Sequence, residues 1–395
     1  IGVKVAGAYA TIVNSGTIRG GSGWNAQSAQ GNAIQVSALG SRIINSGTIA
    51  AGTGASTAVF YQTGADNAQF EIQNGSQITG NVDARAINSA TLVVGTGAQT
   101  QGTFNVSAID TQYLGFNSFV KEGASNTLTL TGSNSGVTPW TINEGALAIS
   151  NDNQLGASSK ALTFASKEGN TGTLQVNSST LSSRNIVLLD KGSINVASGQ
   201  RYQSSGVVSG AFDLTKQGDG ALTLTGVNAY TGATNVTSGA LALADVGSIA
   251  QSSQVVLSSG SSALDISGTT SGATVNNLSG VSGAQVALGS QTLAVNSNVD
   301  TTYAGAISGS GSLTKNGNST LTLTGVNAYT GDTYINAGSL VLDGAEGGAN
   351  LHSNVIAKSG TYLVLRNGAS LTGWIDPTNV LISSGSTWKV TNNSL

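Results

Sequence analysis

Residues 214–243 read LTKQGDGALTLTGVNAYTGATNVTSGALAL, and residues 313–342 read LTKNGNSTLTLTGVNAYTGDTYINAGSLVL. The two stretches agree at 19 of 30 positions, and they begin 99 residues apart (313 minus 214). A more divergent copy ends in LTLTGSNSGVTPWTINEGALAI at residues 128–149. The chain therefore repeats one structural unit.

Each copy alternates apolar and polar residues over short stretches that are separated by turn formers. In the first copy, Leu222 and Leu224 lie two residues apart and are followed by Gly226 and Asn228, which is the pattern of a strand and a turn. A short strand with one apolar face is stable only when neighbouring units stack on it. Helical i, i+3, i+4 spacing never persists beyond one turn. The sequence therefore predicts an all-β solenoid of stacked strands.

The composition is uniform along the chain. Its 395 residues include 55 Gly and 2 Pro, and no shift in composition marks a domain boundary. We therefore expect one elongated body over residues 1–395. Within it we distinguish N-terminal coils at 1–118, a degenerate copy with the following coils at 119–200, the first close copy at 201–300, and the second close copy with the C-terminal coils at 301–395.

Charge is scarce. Charged residues make up 8% of the chain, against about a quarter in ordinary globular proteins. The 15 basic residues are scattered and the net charge is −3, whereas nucleic acids and anionic membranes require clustered Lys and Arg. No run of 18 apolar residues occurs, and the chain has no Cys. These features argue against nucleic-acid binding, membrane insertion by a helix, disulfides and thiolate metal sites.

A different motif repeats near the N-terminus, where residues 12–18 read IVNSGTI and residues 43–49 read IINSGTI. Residues 72–78, IQNGSQI, are a weaker echo. Such Asn-Ser-Gly segments favour corners between strands, because Asn and Gly tolerate positive φ. Aromatic residues concentrate between Phe104 and Phe119, which predicts either a packed corner or a small insertion.

Patterns typical of catalytic and metal sites are not found in the sequence. His352 is the single histidine, and no intact G-x-S-x-G elbow accompanies it. The 18 carboxylates are widely spread, and Asp213 of the first copy aligns with Ser312 of the second. The segment GGSGWN at residues 20–25 matches the calcium-binding nonapeptide imperfectly and only once. We therefore expect no enzyme activity, no metal and no cofactor.

Candidate binding residues lie in a loop. Residues 20–30, GGSGWNAQSAQ, are interpreted as an excursion between strands. Because an indole on a polar surface is a common anchor for sugars and proteins, we select Trp24, Asn25 and Gln27 as candidate binding residues. The remaining tryptophans lie in strand-like runs and are interpreted as structural: Trp140, Trp374 and Trp388.

Positions at which both close copies agree are interpreted as structural, because stacked coils explain them without a ligand. These positions are Leu214, Lys216, Gly218, Gly226, Tyr230 and Gly232 in the first copy, and Leu313, Lys315, Gly317, Gly325, Tyr329 and Gly331 in the second.

The shared pattern LTKxGxxxLTLTGxNxYTGxTxxxxGxL resembles the passenger-associated transport repeat of bacterial autotransporters. The INSGTI motifs and residues 384–395, SGSTWKVTNNSL, are similar to segments of pertactin-like and self-associating adhesin passengers. The resemblance implies a right-handed parallel β-helix that is exported through the periplasm and displayed outside a Gram-negative cell. It also implies an outer-membrane β-barrel anchor, which we expect outside this chain, and repeats that assist folding during secretion.

On this resemblance, we expect a virulence-associated adhesin whose polar faces mediate self-association, aggregation and biofilm formation through many weak contacts. Two alternatives stay open. One is an adhesin that recognises host glycans or extracellular matrix through loops such as residues 20–30. The other is the β-helical stalk of an enzyme whose catalytic domain lies upstream.

Overall fold

A computed structural model describes residues 2–22, 31–97, 101–376, 379–383 and 385–391. Over these residues the chain is a β-solenoid of about 15 turns built from parallel sheets. Helical structure there is limited to two 3-10 segments, Val106–Ala108 and Asp152–Leu155. None of these described stretches contains a helix that is long and apolar enough to cross a membrane. The all-β solenoid predicted from the period-two pattern is therefore confirmed.

The chain divides into two compact units, Ile1–Asn177 and Ser178–Leu395. In the first unit the strands fall into four groups of parallel neighbours. The groups are Val3–Val5, Ile34–Val36, Thr57–Tyr61, Asn81–Asp83 and Tyr113–Leu114; then Thr11–Asn14, Arg42–Asn45, Ala68–Gln73, Ala90–Thr96, Ser118–Lys121, Trp140–Ile142 and Leu162–Phe164; then Thr17–Arg19, Thr48–Ala50 and Gln77–Thr79; and finally Gln101–Asn105, Thr127–Thr131, Gly145–Ile149 and Gly172–Val176.

The second unit contains four larger sets of strands, which we name sheets A to D. Sheet A comprises Gly192–Val196, Leu214–Gln217, Thr234–Val236, Val255–Leu257, Leu278–Gly280, Thr301–Tyr303, Thr320–Leu323, Ser339–Asp343, Tyr362–Arg366 and Asn379–Ile382. Sheet B comprises Thr180–Ser182, Arg201–Ser204, Ala221–Leu224, Gly239–Asp245, Ser262–Thr269, Gln285–Ala287 and Ala306–Ser308. Sheet C comprises Ala273–Asn276, Leu293–Asn296, Leu313–Asn316, Thr333–Ile335 and Val355–Ala357. Sheet D comprises Val326–Asn327, Asn350–His352, Ser370–Thr372 and Thr387–Lys389, and Ile186–Leu188 pairs with Val208–Gly210.

Columns of apolar side chains form the interior of the solenoid. In sheet B, one register column joins Leu222, Leu241, Leu264, Val286 and Ile307 on five successive strands. All five side chains are fully buried. Because side chains alternate between the two faces of a strand, the residues between them point outward. Inward and outward positions can therefore be assigned directly from the register.

Coil length differs along the chain. In the first unit Ile12 pairs with Ile43, which gives a coil of 31 residues (43 minus 12). In the second unit Leu222 pairs with Leu241, which gives a coil of 19 residues (241 minus 222). The longest coils therefore coincide with the INSGTI repeats, and the shorter ones with the close copies.

The aromatic residues near position 110 form a packed corner. The ring centroid of Tyr113 lies 5.7 Å from that of Phe104 and 6.4 Å from that of Phe70. The ring of Phe116 packs edge-on against Tyr61 at 6.5 Å. Of the two alternatives left open by the sequence, the packed corner is the one observed.

The INSGTI repeats are joined by an internal asparagine ladder. Asn14 Nδ2 donates to Asn45 Oδ1 at 2.7 Å, and Asn45 Nδ2 donates to Ser76 Oγ at 2.6 Å. Asn45 also donates to the carbonyl oxygen of Gly47 at 2.9 Å. Asn14 and Asn45 are both buried. Each step of the ladder spans one coil, so the motif links three coils through side chains as well as backbone.

We predict that Asn45→Ala lowers the free energy of unfolding of the first unit by about 1–3 kcal/mol, because it leaves buried partners of the amide unsatisfied. Urea titration of the full chain, with hydrogen exchange at residues 42–49 as the local readout, measures the effect. The exposed neighbour Ser15 provides the control, and Ser15→Ala is expected to change little. Equal protection in Asn45→Ala and the wild type would contradict a stabilising ladder.

Candidate functional surface

The loop residues selected from the sequence, Trp24, Asn25 and Gln27, lie outside the described residues. Their role stays a prediction. Of the other tryptophans, Trp140 is 1% exposed and packs 5.5 Å from Phe119 between ring centroids. Trp388 donates its indole N–H to the carbonyl oxygen of Gly373 at 2.9 Å. Trp374 lies outside the strands and is half-buried.

The two close copies of the repeat lie on different faces of the solenoid. In the first copy, Leu214–Gln217 belongs to sheet A and Ala221–Leu224 to sheet B. In the second copy, Leu313–Asn316 belongs to sheet C and Thr320–Leu323 to sheet A. The repeat distance of 99 residues is therefore not a whole number of coils. Residues shared by the copies cannot form one continuous outer stripe, which favours an internal role for them.

The repeated lysine is buried inside a cage of carbonyl oxygens. Lys216 Nζ donates to the carbonyl oxygens of Gln217, Gly218 and Ser238 at 2.8, 2.6 and 3.1 Å. Its side chain is 1% exposed. The first two acceptors belong to its own corner, and Ser238 belongs to the corresponding corner of the next coil. The ammonium group therefore joins two successive coils.

The second copy reproduces this cage on its own face. Lys315 Nζ donates to the carbonyl oxygens of Asn316, Gly317 and Ala337 at 2.9, 2.7 and 3.1 Å. The side chain is fully buried. Since the two cages match within about 0.1 Å but lie in different sheets, the geometry belongs to the repeat and not to a particular face.

The divergent copy in the first unit contains a third cage. Lys121 Nζ donates to the carbonyl oxygens of Glu122, Gly123 and Glu144 at 2.7, 3.2 and 3.1 Å. It also donates to Asn126 Oδ1 at 2.6 Å. Only this copy adds a side-chain amide, because Ala221 and Thr320 occupy the corresponding positions five residues after the lysine in the others.

Glycines allow the corners to form around the lysines. Gly218 has φ +72° and Gly317 has φ +76°, a region that L side chains rarely adopt. At Gly232, a Cβ atom would lie 2.2 Å from the backbone carbon of Phe212 on the preceding coil. At Gly325, a Cβ atom would lie 2.1 Å from the carbonyl oxygen of Gly305. These glycines are required by corner conformation and by close stacking. The related positions Gly226 and Gly331 make similar approaches.

The repeated tyrosines are also internal. Tyr230 OH lies 2.5 Å from Thr234 Oγ1, and Thr234 Oγ1 donates to Ser252 Oγ at 2.8 Å. In the second copy, Tyr329 OH lies 2.7 Å from Thr333 Oγ1. Both rings are buried. The remaining shared positions, Leu214 and Leu313, are buried in the interior.

The caged lysines are protonated at neutral pH but are poor candidates for chemistry. Burial lowers the pKa of Lys216 to about 8, and the Asp219 carboxylate opposes this shift. Burial likewise lowers the pKa of Lys315 to about 8, against the opposing charge of Asp300. At pH 7 each amine therefore retains its proton and can donate to its three carbonyl oxygens. A substrate has no access to side chains that are this deeply buried.

The accessible charge between residues 202 and 351 is entirely negative. This stretch contains two basic residues, Lys216 and Lys315, and eight acidic residues. Both lysines are buried in their cages. His352 is exposed on a strand of sheet D. Across the described ranges, no group of three or more His, Asp or Glu residues is arranged to hold a metal ion.

An outward column of sheet A carries no charge over six successive strands. The register places its residues one coil apart. The column consists of Thr215, Asn235, Val256, Ser279, Thr302 and Thr322. All six are at least partly accessible. Hydroxyl, amide and small apolar groups therefore line this face.

Comparison with known proteins agrees with the geometry of the repeats. The sequence matches the family described as Passenger-associated-transport-repeat at residues 119–149, 214–243 and 313–342. It is also 33% identical over 139 residues to the Adhesin BmaC autotransporter of Brucella suis biovar 1 (strain 1330). That alignment spans 34% of this chain and 4% of the relative. No solved structure matches the chain.

Each family match contains one caged lysine: Lys121, Lys216 or Lys315. A parallel β-solenoid with these repeats defines the class of exported autotransporter passenger domains. The chain belongs to that class, as a passenger domain of the type V secretion pathway.

Replacing a caged lysine is expected to destabilise the second unit. We predict that Lys216→Met lowers the free energy of unfolding by about 1.5–3 kcal/mol, because three buried carbonyl oxygens lose a charged donor. Urea unfolding and limited proteolysis of the full chain measure the loss. The exposed lysine Lys191 supplies the control, since Lys191→Met leaves no buried acceptor unpaired. Equal stability of the two variants would contradict the clamping role.

The lowered lysine pKa values also predict a pH dependence. Because the folded pKa of about 8 lies below the ordinary value of 10.5, the unfolded chain binds more protons between these values. The contribution of Lys216 and Lys315 to stability should therefore rise as pH increases from 8 to 10.5. The measurement is the urea midpoint of the wild type minus that of the Lys216→Met, Lys315→Met variant at each pH. A difference that falls over this window would refute the assignment.

Proposed function

We propose that this passenger domain is a non-enzymatic adhesin segment that mediates self-association between cell surfaces. Support comes from its similarity to a protein named as an adhesin and from the class of its repeats. The observation that carries the proposal is the uncharged outer column of sheet A. Aggregation and biofilm formation follow from such contacts when many chains on one cell meet many on another.

Sheet A favours contact between two copies because like charges do not meet there. Six coils at a spacing of about 4.8 Å give a contact line of about 24 Å between the first and last strands. Elsewhere on the same unit Asp245, Asp265 and Asp300 carry accessible carboxylates. Two copies that met through those positions would repel each other, whereas hydroxyl and amide groups on sheet A pair without a charge penalty.

Weak contacts suffice for this function when they are repeated. Each hydrogen bond between Thr, Ser or Asn side chains contributes little by itself. A chain held on a surface presents the whole column at once, so later contacts form at high effective concentration. The absence of charge on the column also predicts a weak dependence on salt for contacts made through it.

The non-enzymatic part of the proposal draws on where the polar groups are used. Lys216, Tyr230 and Thr234 are consumed by hydrogen bonds inside the solenoid. His352 is exposed on sheet D, and no intact serine-nucleophile motif accompanies it. The repeats therefore serve the architecture, and the outer surface serves contact.

We predict that Thr302→Asp combined with Thr322→Asp abolishes self-association, because two adjacent carboxylates on sheet A would face those of the second copy. Sedimentation velocity of the purified chain and settling of cells that display it are the measurements. The matched control is Gln285→Asp combined with Ser308→Asp on sheet B, where both residues are exposed. Loss of association in the control but not in the sheet A variant would move the contact to another face, and monomers throughout would reject self-association.

A further inference from the structure

The outer residues of the second repeat differ in kind from those of the first. At three outward or corner positions of the strand after the repeated Tyr-Thr-Gly, the first copy has Ala233, Asn235 and Thr237. The second copy has Asp332, Tyr334 and Asn336 at those positions. The internal residues on either side are the same or similar. The second copy therefore uses an unchanged scaffold to display a carboxylate, an aromatic ring and an amide.

Neighbouring coils of sheet C extend this group. Tyr334 is in register with Ile356, and Thr333 is in register with Val355. The next coil follows through the bridge between Val355 and Ile375. This register places Asn354 beside Asp332 and Trp374 beside Asn354.

Hydrogen bonds hold the polar members in place. Asn354 Nδ2 donates to Asp332 Oδ1 at 3.0 Å, and the backbone N–H of Trp374 donates to Asn354 Oδ1 at 3.3 Å. Asn336 Nδ2 donates to Asn316 Oδ1 at 2.9 Å. Fixed side chains lose little conformational freedom when a ligand binds. The group is therefore ordered before any contact is made.

The accessible parts of these residues form one surface. Asp332, Tyr334, Asn336, Asn354 and Trp374 are each half-buried, so each leaves part of its side chain in solvent. The strand of Tyr334 and the segment of Trp374 are two coils apart, which corresponds to about 10 Å. Two aromatic residues thus bracket a row of amides and a carboxylate over a length comparable with a disaccharide.

We propose that Asp332, Tyr334, Asn336, Asn354 and Trp374 form a binding surface for a neutral saccharide. An aromatic ring offers an apolar face to the C–H groups of a sugar, and its edge position leaves the hydroxyl groups free. Amides both donate and accept hydrogen bonds, and a carboxylate accepts from two hydroxyls. A sugar ring presents these same groups in alternation.

Charge decides which saccharides fit. Asp332 and Asp376 are acidic, and Lys358, in the column of Asn336, is the nearby basic residue. An acidic sugar would meet net negative charge on this surface, whereas a neutral hexose or N-acetylhexosamine would not. The inference is independent of the proposed self-association, because it concerns sheet C and the segment beside it and not sheet A.

A glycan array tests the proposal with the purified full chain. The probes are neutral oligosaccharides of glucose, galactose, mannose and N-acetylglucosamine, with sialylated and sulfated oligosaccharides beside them. We expect binding to at least one neutral probe, and calorimetric titration with that probe should show Tyr334→Ala and Trp374→Ala each weakening affinity at least about tenfold. Binding to no neutral probe, or only to the acidic ones, would overturn the proposal.

Tyr362 provides a matched control, because it is an exposed tyrosine on a strand of sheet A. Tyr362→Ala is expected to leave saccharide affinity unchanged. The thermal midpoint of each variant shows whether the chain is folded, and Asn354→Gln serves as a milder second variant if Tyr334→Ala is unstable. If Tyr334→Ala and Tyr362→Ala had the same effect, or if Tyr334→Ala impaired only self-association, the saccharide surface would be rejected.

Discussion

Parallel backbone hydrogen bonds join each coil to the next, and they set which residues of successive coils stand beside each other. In sheet B they align Leu222 with Leu241 and Leu241 with Leu264. An inward side chain then has an inward neighbour on the coils before and after it. This constraint applies equally to polar residues. A polar side chain that points inward must find its hydrogen-bond partners within the coils, since it cannot reach water.

The lysine cages satisfy this constraint in an unusual way. Lys216 lies two residues after Leu214 on the same strand, so both point inward. Its ammonium group remains buried because carbonyl oxygens of two coils surround it. Removing a charge from water costs free energy, and hydrogen bonds from the cage offset that cost. The corner glycines and the lysine therefore depend on each other, which explains why they recur together in three copies.

Much of the internal arrangement can be read from the sequence. Period two correctly indicated the stacked strands, and the same parity contained a signal for the buried lysine, because Lys216 and Lys315 each share the phase of the preceding leucine. Sequence reasoning does not use that signal when it treats lysine as a surface residue. The face of each copy was beyond reach for a different reason. Coils vary from 19 to 23 residues between neighbouring strands of sheet B, so a distance of 99 residues does not by itself say how many turns separate the copies.

Rotation of the copies separates architecture from recognition. Internal residues such as Lys315 and Tyr329 must be retained wherever the repeat lies, because the cage and the tyrosine hydrogen bond depend only on neighbouring coils. Outward residues experience no such requirement. The first copy displays Asn235 on sheet A, within the uncharged column, and the second displays Tyr334 on sheet C, among amides and a carboxylate. One repeat can thus support different surfaces in one chain, and its shared residues carry no information about which ligand each surface contacts.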